Sequence, residues 1–193
     1  MQGHIGGNCY TENIGGINVH KYGAHIFHTN NKKVWDYANN YAEFNGYRHH
    51  LKTTAAGRVY SFPINMMTLS QMWGVCTPEQ AEHELRDRKM KIENPDNLEE
   101  WILSQVGEEI YKKFIKGYTT KQWGKPPAEL PASIIQRLPI RLTYNDCYFS
   151  DKYQGIPIGG YTAMFKKLLK KIPVQLGVDY LKDKDALDKK AKK

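Results

Sequence analysis

The sequence predicts an α+β protein, with a helical subdomain joined to a partial mixed/antiparallel sheet. Three observations carry this. Short alternating segments broken by glycine and proline fill the first third of the chain. Residues 68 to about 124 carry helix-start signals and helical periodicity. The remainder returns to proline- and glycine-punctuated turns. Of the 193 residues, 40% are hydrophobic and 25% are charged, which supports a packed core rather than a disordered chain.

Residues 4–28 are short apolar pieces between glycines. Ile17–His20 alternates apolar and polar and reads as a strand, with Gly15-Gly16 turning the chain before it. Over residues 31–42, Val34, Trp35, Tyr37 and Ala38 make an apolar stripe, so a helix is expected, capped by Thr29 or Asn30. Residues 44–52 and 58–62 read as strands around a turn at 53–57, and Pro63 ends the second because it lacks a ladder donor. Thr77-Pro78-Glu79-Gln80 is a capping-box helix start, and that helix should run to about Lys91.

Asn97 opens the next helix. Leu98, Trp101, Ile102 and Val106 share a face, Gly107 breaks or kinks it, and residues 108–118 continue it. Pro126, Pro127, Pro131 and Pro139 make 125–145 loop-rich, with one short helix near 131–137. Residues 139–149 read as strand and turn. Gly159-Gly160-Tyr161 opens a helix to about Lys171, and Val174–Tyr180 reads as a last strand.

The net charge of +8 comes largely from Lys-Lys-Leu-Leu-Lys-Lys at 166–171 and from six lysines against three aspartates in 182–193. These runs hold no arginine and no interleaved aromatics. They read as solvated helix faces, and nucleic acid is not expected as a partner. Three scattered cysteines without a CxxC spacing predict reduced thiols and a cytoplasmic protein. No apolar run reaches the length of a membrane span, so no membrane insertion is expected. Nothing in the sequence specifies an oligomeric state.

Four stretches hold residues suited to chemistry. His20, His25 and His28 lie close together, but no Asp, Glu or Cys sits between them, so no metal site is expected. The intervening Gly23-Ala24 lets backbone approach a flat ring, although each histidine also reads as an ordinary structural one. Tyr118 and Trp123 close a helix, either as a buried helix end or as a stacking platform for a base. Arg137 and Arg141 flank Pro139, as forks for phosphate oxygens or as plain surface arginines. The stretch from Tyr148 to Tyr161 is dense in tyrosine and glycine. Its hydroxyls suit phosphates or sugars, its Gly159-Gly160 resembles an anion-binding helix start, and a core turn with packed rings is the alternative. The GxGxxG fingerprint, the Walker loop and the serine elbow are absent.

In combination and in order, HIGGNCYTE, VHKYGAHIFHT, SFPINMMTLSQMWG, NLEEWILSQVGEEIYKKFIKGYTTKQWG, ELPASIIQRLPIRLTYNDCYFSDKYQGIPIGGYT and VQLGVDYLKDKD resemble the bacterial UDP-galactopyranose mutases. That resemblance implies an isomerase that interconverts UDP-galactopyranose and UDP-galactofuranose for bacterial galactofuranose glycans. It implies FAD in its reduced form, whose N5 attacks the anomeric carbon and displaces UDP, with no net redox change. Gly6, Gly7 and Asn8 match a stretch near the FAD. Gly23, Ala24, His25 and His28 match the loop beside the flavin, with His25 and His28 in catalytic positions. Tyr118 and Trp123 match the rings that hold uridine. Arg137 matches a mobile-loop arginine that grips the diphosphate and serves catalysis, and Tyr148 matches a tyrosine bonded to the phosphates. Arg141 receives no direct role.

The family begins with a strand, GxGxxG turn and helix, and it continues past residue 193. The resemblance therefore implies a central fragment lacking both ends of a larger FAD-containing α/β fold. Residues 1–66 would be a flavin-domain segment with the first sheet strands, 67–130 the helical subdomain, and 131–193 the mobile loop and a sheet segment. Such a fragment is expected to be inactive alone. The alternative is a non-catalytic UDP-sugar-binding module.

Overall fold

The computed structural model describes residues 3–134 and 140–191. The chain divides into two compact units, a middle one of His49–Tyr148 and a flanking one that joins Met1–Arg48 to Phe149–Lys193. The first boundary thus falls at 48/49 rather than at 66/67, because the hairpin at 51–62 packs with the helices that follow it.

The flanking unit opens the chain. Its N-terminal hairpin pairs β1 (Thr11–Ile14) with β2 (Ile17–His20), from Thr11↔His20 to Ile14↔Ile17, around Gly15 and Gly16 at φ 58° and 88°. β3 (Phe27–Thr29) precedes α1 (Lys32–Asn39). The cap of α1 is Asn31, whose side chain accepts from the amides of Lys33 and Val34. The expected candidates serve neighbouring groups instead: Thr29 Oγ1 accepts from Asn31 N–H, and Asn30 Oδ1 from Lys152 N–H. Of the predicted stripe only Ala38 is buried and Trp35 half-buried, while Val34 and Tyr37 stay exposed. Trp35 belongs to a ring cluster, 4.9 Å from Phe44 and 5.5 Å from Tyr153.

The middle unit begins with a second hairpin, β4 (Leu51–Ala55) and β5 (Arg58–Phe62), in register from Leu51↔Phe62 to Ala55↔Arg58. Its turn is only Ala56-Gly57, both at positive φ, so the ladder runs through residues assigned to the turn from sequence. Residues 44–50 form isolated bridges at Phe44 and His50 rather than a strand.

Pro63 ends β5, and α2 (Met66–Trp73) follows. Its cap, Asn65, is fully buried and fully engaged. Its Oδ1 accepts from Met67 and Thr68 amides, and its Nδ2 donates to Ser61 Oγ and Pro63 O. α3 (Pro78–Arg88) starts with the predicted Thr77–Gln80 capping box. α4 (Leu98–Ile110) is capped by Asn97 and buries Leu98, Ile102 and Val106. The Gly107 kink is real, at φ 78° and ψ 178°. A π-helical turn, Tyr111–Lys116, leads into α5 (Gly117–Trp123). These helices and the hairpin enclose one core that includes Tyr60, Ile64, Leu69, Ile110 and Phe114.

Pro127–Glu129 and Ala132–Ile134 are single 3-10 turns, and residues 135–139, where the expected short helix ends, lie outside the described residues. The strand expected over 139–149 does not form among the described residues. Residues 141–143 exchange two backbone bonds with Ile64 and Met66, and the start of α2 at Met66 leaves no strand to pair with further.

In the flanking unit, β6 (Tyr153–Gly155) pairs antiparallel with β3, and α6 (Gly160–Leu168) follows. Every strand pair among the described residues is antiparallel. A small core forms around Ala42, Tyr161 and Met164. The expected strand at 174–180 is absent among the described residues. Gly177 turns the chain at φ 72°, and α7 (Tyr180–Ala191) begins instead, with the Asp179 carbonyl accepting from Lys182 and Asp183 amides.

Candidate functional site

The glycine-rich loop is built by side chains that lock its backbone. Gly23 sits at φ 105°, a region that favours glycine, and the space where a Cβ would stand is open. His25 N–H donates to His20 Nδ1 at 3.1 Å, and His25 Nδ1 lies 2.8 Å from Gly23 O. A carbonyl only accepts, so Nδ1 of His25 carries the proton and the neutral ring keeps Nε2 as an acceptor. Burial, and then the neighbouring His25, hold His20 below its ordinary pKa, in keeping with its role as an acceptor.

His28 is exposed but tightly oriented. Its ring stacks on Phe149 at 3.7 Å, and its Nδ1 lies 2.5 Å from Asp151 Oδ2. The Gly6-Gly7 stretch is tied to this loop by His4, which stacks on Tyr10 at 3.8 Å and bonds Tyr22 OH through Nε2 at 2.8 Å. Gly6, in the left-handed region at φ 88°, starts a 3-10 turn over Gly7–Cys9 that contains Asn8. The structure therefore gathers Gly6, Gly7, Asn8, Gly23, Ala24, His25 and His28 within the flanking unit.

Tyr118, Trp123 and Tyr148 lie in the middle unit. Tyr118 is 70% exposed and Trp123 52%, while Thr119 between them is buried, which removes the buried-helix-end alternative. Gly124 stops α5 directly after Trp123 with a left-handed cap whose N–H bonds Thr120 O. Lys116, just before α5, and Lys121 within it are also exposed and give this segment positive charge.

Tyr148 is half exposed and meets the His49 ring edge-on. Its backbone is braced by Arg141, whose guanidinium donates to the carbonyls of Asn145, Cys147 and Tyr148. Arg141, to which the sequence assigns no direct role, thus holds the backbone that carries Tyr148. Arg137 lies outside the described residues.

The anion-binding resemblance at Gly159-Gly160 fails at its leading amides. Gly160 N–H bonds Pro157 O, and Tyr161 N–H donates to Thr11 Oγ1 at 3.2 Å. Thr162 Oγ1 accepts from Thr11 N–H and donates to Thr11 O, both at 2.8 Å. The helix start is plugged by β1, which a local motif cannot reveal. Sequence reasoning also missed His4, Tyr22, Phe149 and Asp151. Phe149 and Asp151 lie in a stretch already marked as aromatic, but their pairing with His28 spans more than a hundred residues.

Comparison with known proteins places these features in context. The UDP-galactopyranose mutase family model matches residues 113–193, and an NAD(P)-binding Rossmann-like domain model matches residues 1–41. The chain is 47% identical over 170 residues to a dTDP-fucopyranose mutase of Escherichia coli, covering 86% of this chain and 45% of that protein. It is 44% identical over 184 residues to a Klebsiella pneumoniae protein named "Probable UDP-galactopyranose mutase", covering 92% of this chain and 48% of that protein. A solved structure of reduced UDP-galactopyranose mutase shares the fold, with a TM-score of 0.64 at 17% identity, over 88% of this chain and 40% of that one. The chain thus spans about half the length of the curated relatives it matches. Both glycine stretches lie inside the residues matched by the Rossmann-like model, the aromatic segment of α5 lies inside those matched by the mutase model, and the chain is similar over most of its length to proteins named as nucleotide-sugar mutases.

Proposed function

We propose that this chain supplies the nucleotide-gripping helices and one wall of the flavin pocket of a mutase that interconverts UDP-galactopyranose and UDP-galactofuranose. The observation that carries the reading is α5, which leaves Tyr118 and Trp123 exposed on a positively charged segment, in a chain 44% identical to a protein named for that reaction. An exposed ring pair at a helix end costs the fold apolar burial, and a stacked base recovers it. Tyr148, braced by Arg141, would donate its hydroxyl to the diphosphate, and Arg137 would pair with the same oxygens.

The residues present fit FAD. Gly23 is open where a Cβ would stand, and the exposed loop at Gly23-Ala24 lets a flat ring system rest against backbone. Gly6, Gly7 and Asn8 would line the same cofactor. When bound, reduced FAD supplies the electron pair that displaces the nucleotide from the anomeric carbon. His25 would hold a polar group through Nε2, its Nδ1 proton being committed to Gly23 O. Asp151 fixes the His28 ring so that its free nitrogen keeps one direction.

A second nucleotide sugar is supported by the 47% identity to a dTDP-fucopyranose mutase. Stacking on Tyr118 and Trp123 does not separate uracil from thymine, since both present a π-face. Titration of the protein with UDP and with dTDP by calorimetry tests both readings. Trp123→Ala should weaken the preferred nucleotide by about 5- to 150-fold, the 1–3 kcal/mol of a base–aromatic stack. Unchanged affinity would remove Trp123 from the site. UDP binding by a colourless protein that turns over no sugar would favour a non-catalytic UDP-sugar-binding module.

A further inference from the structure

The middle unit holds a second cluster of reactive side chains, to which the proposed function assigns no role. Cys147 Sγ lies 4.0 Å from His50 Nε2. On its other side, His50 Nδ1 is 2.7 Å from Asp146 Oδ1, and Asp146 Oδ2 accepts from Lys52 Nζ at 3.1 Å. The backbone holds this line in place. His50 and Cys147 face each other across an antiparallel bridge, and Tyr148 N–H donates to His49 O at 2.7 Å. Cys147 N–H donates to Asn145 Oδ1 at 3.0 Å, and Arg141 clamps the Cys147 carbonyl.

A carboxylate at Nδ1 makes that nitrogen the protonated one, so the neutral ring turns its lone pair at Nε2 toward the sulfur. The order is nucleophile, base and orienting group, the arrangement that activates a thiol. Lys52 first, and His50 with it, hold the Asp146 carboxyl below the usual carboxylate range, so the orienting charge is present at neutral pH. The site is open to small molecules, with Cys147 half-buried and the His50 side chain 44% exposed.

The other two cysteines lack this setting. Cys76 is exposed, and its sulfur bonds the Gly74 carbonyl of its own loop, with no histidine partner among the described residues. Cys9 is half-buried, and burial pushes its thiol up. Exposure alone would therefore favour Cys76.

We infer that Cys147 is a nucleophilic thiol that forms mixed disulfides with small disulfide compounds, with His50 as the base and Asp146 as the orienting residue. The Cys147 proton passes to His50 Nε2 as Sγ attacks one sulfur of the disulfide. A new bond to Sγ forms while the reagent's S–S bond breaks, and the departing thiolate takes up the proton to leave as a thiol. The exchange needs no other oxidant.

The test uses oxidised glutathione on the whole chain, quenched by alkylation and read by peptide mass spectrometry. Cys147 should be modified on the order of tenfold faster than Cys76, a modest base effect in keeping with the long sulfur–nitrogen contact. His50→Gln should bring Cys147 down to the rate of Cys76 in the same molecule and leave Cys76 unchanged. Asp146→Asn should slow Cys147 by a smaller factor. Equal or faster modification of Cys76 in the unaltered protein overturns the inference, as does a Cys147 rate indifferent to His50→Gln. If that variant loses its fold, seen as Cys9 and Cys76 both accelerating, the ranking in the unaltered protein decides.

Discussion

Replacing Gly107 by alanine probes the junction that aims α4 into the π-helical turn and α5. Gly107 holds φ 78° and ψ 178°, a combination essentially closed to residues with a Cβ. Adopting it costs alanine about 1–3 kcal/mol. The added Cβ would also stand 2.2 Å from Arg88 O and 2.8 Å from Arg88 C, where ordinary contact begins at 3.4 Å. Those atoms are backbone at the end of α3, and Met90 N–H bonds Leu103 O at 3.1 Å beside them, so relief requires separating two packed helices. Overpacking of that kind costs roughly 1–3 kcal/mol.

Together the terms give about 4 kcal/mol, a large share of the ~5–15 kcal/mol that holds a domain folded. Urea unfolding followed by far-UV circular dichroism should show the midpoint falling by roughly 2 M. Gly124→Ala is the control. Gly124 has φ 67° but open space around a Cβ, so it should cost only about 1–2 kcal/mol. A Gly107→Ala midpoint no lower than that of Gly124→Ala would refute the clash argument.

Two further outcomes follow from the same reasoning. Thr11→Val keeps the shape of a residue that is only 6% exposed but removes the hydroxyl that accepts from Tyr161 N–H, and calorimetry should show the melting temperature falling. The loss should be about 1–3 kcal/mol, on the order of 5 °C, and an unchanged transition would show that α6 does not depend on this plug. The second concerns acid. Asp146 has a folded-state pKa depressed by Lys52 and His50, so its contribution is present above the unfolded value of about 3.9 and is lost as pH falls through the folded one. The stability gap between the protein and Asp146→Asn should therefore close on going from about pH 5 to about pH 2, and a gap that stays constant would contradict the assigned ion pairs.

Local chemistry made much of the helical half legible. The capping box at Thr77–Gln80, the cap at Asn97 and the break at Gly107 are each decided within a few residues, because they depend on φ preference and on side chains reaching their own backbone. The Ile17–His20 strand and its Gly15-Gly16 turn are of the same kind. The strand expectations over 139–149 and 174–180 did not hold because a strand exists only through a partner. At 141–143 the partner turns into α2, and at 174–180 none is present among the described residues.

For the candidate site, the sequence by itself determined which residue types were available and in what order: two glycine stretches, three histidines, a ring pair closing a helix and a tyrosine after a cysteine. The tertiary structure alone decided their state. It left Tyr118 and Trp123 in solvent, filled the Gly160 helix start with Thr11, paired His28 with Phe149 and Asp151, and set Cys147 against His50. Backbone preference is a property of neighbours in the chain, whereas exposure and side-chain pairing are properties of neighbours in space, and here the decisive neighbours lie roughly 100 to 150 residues apart.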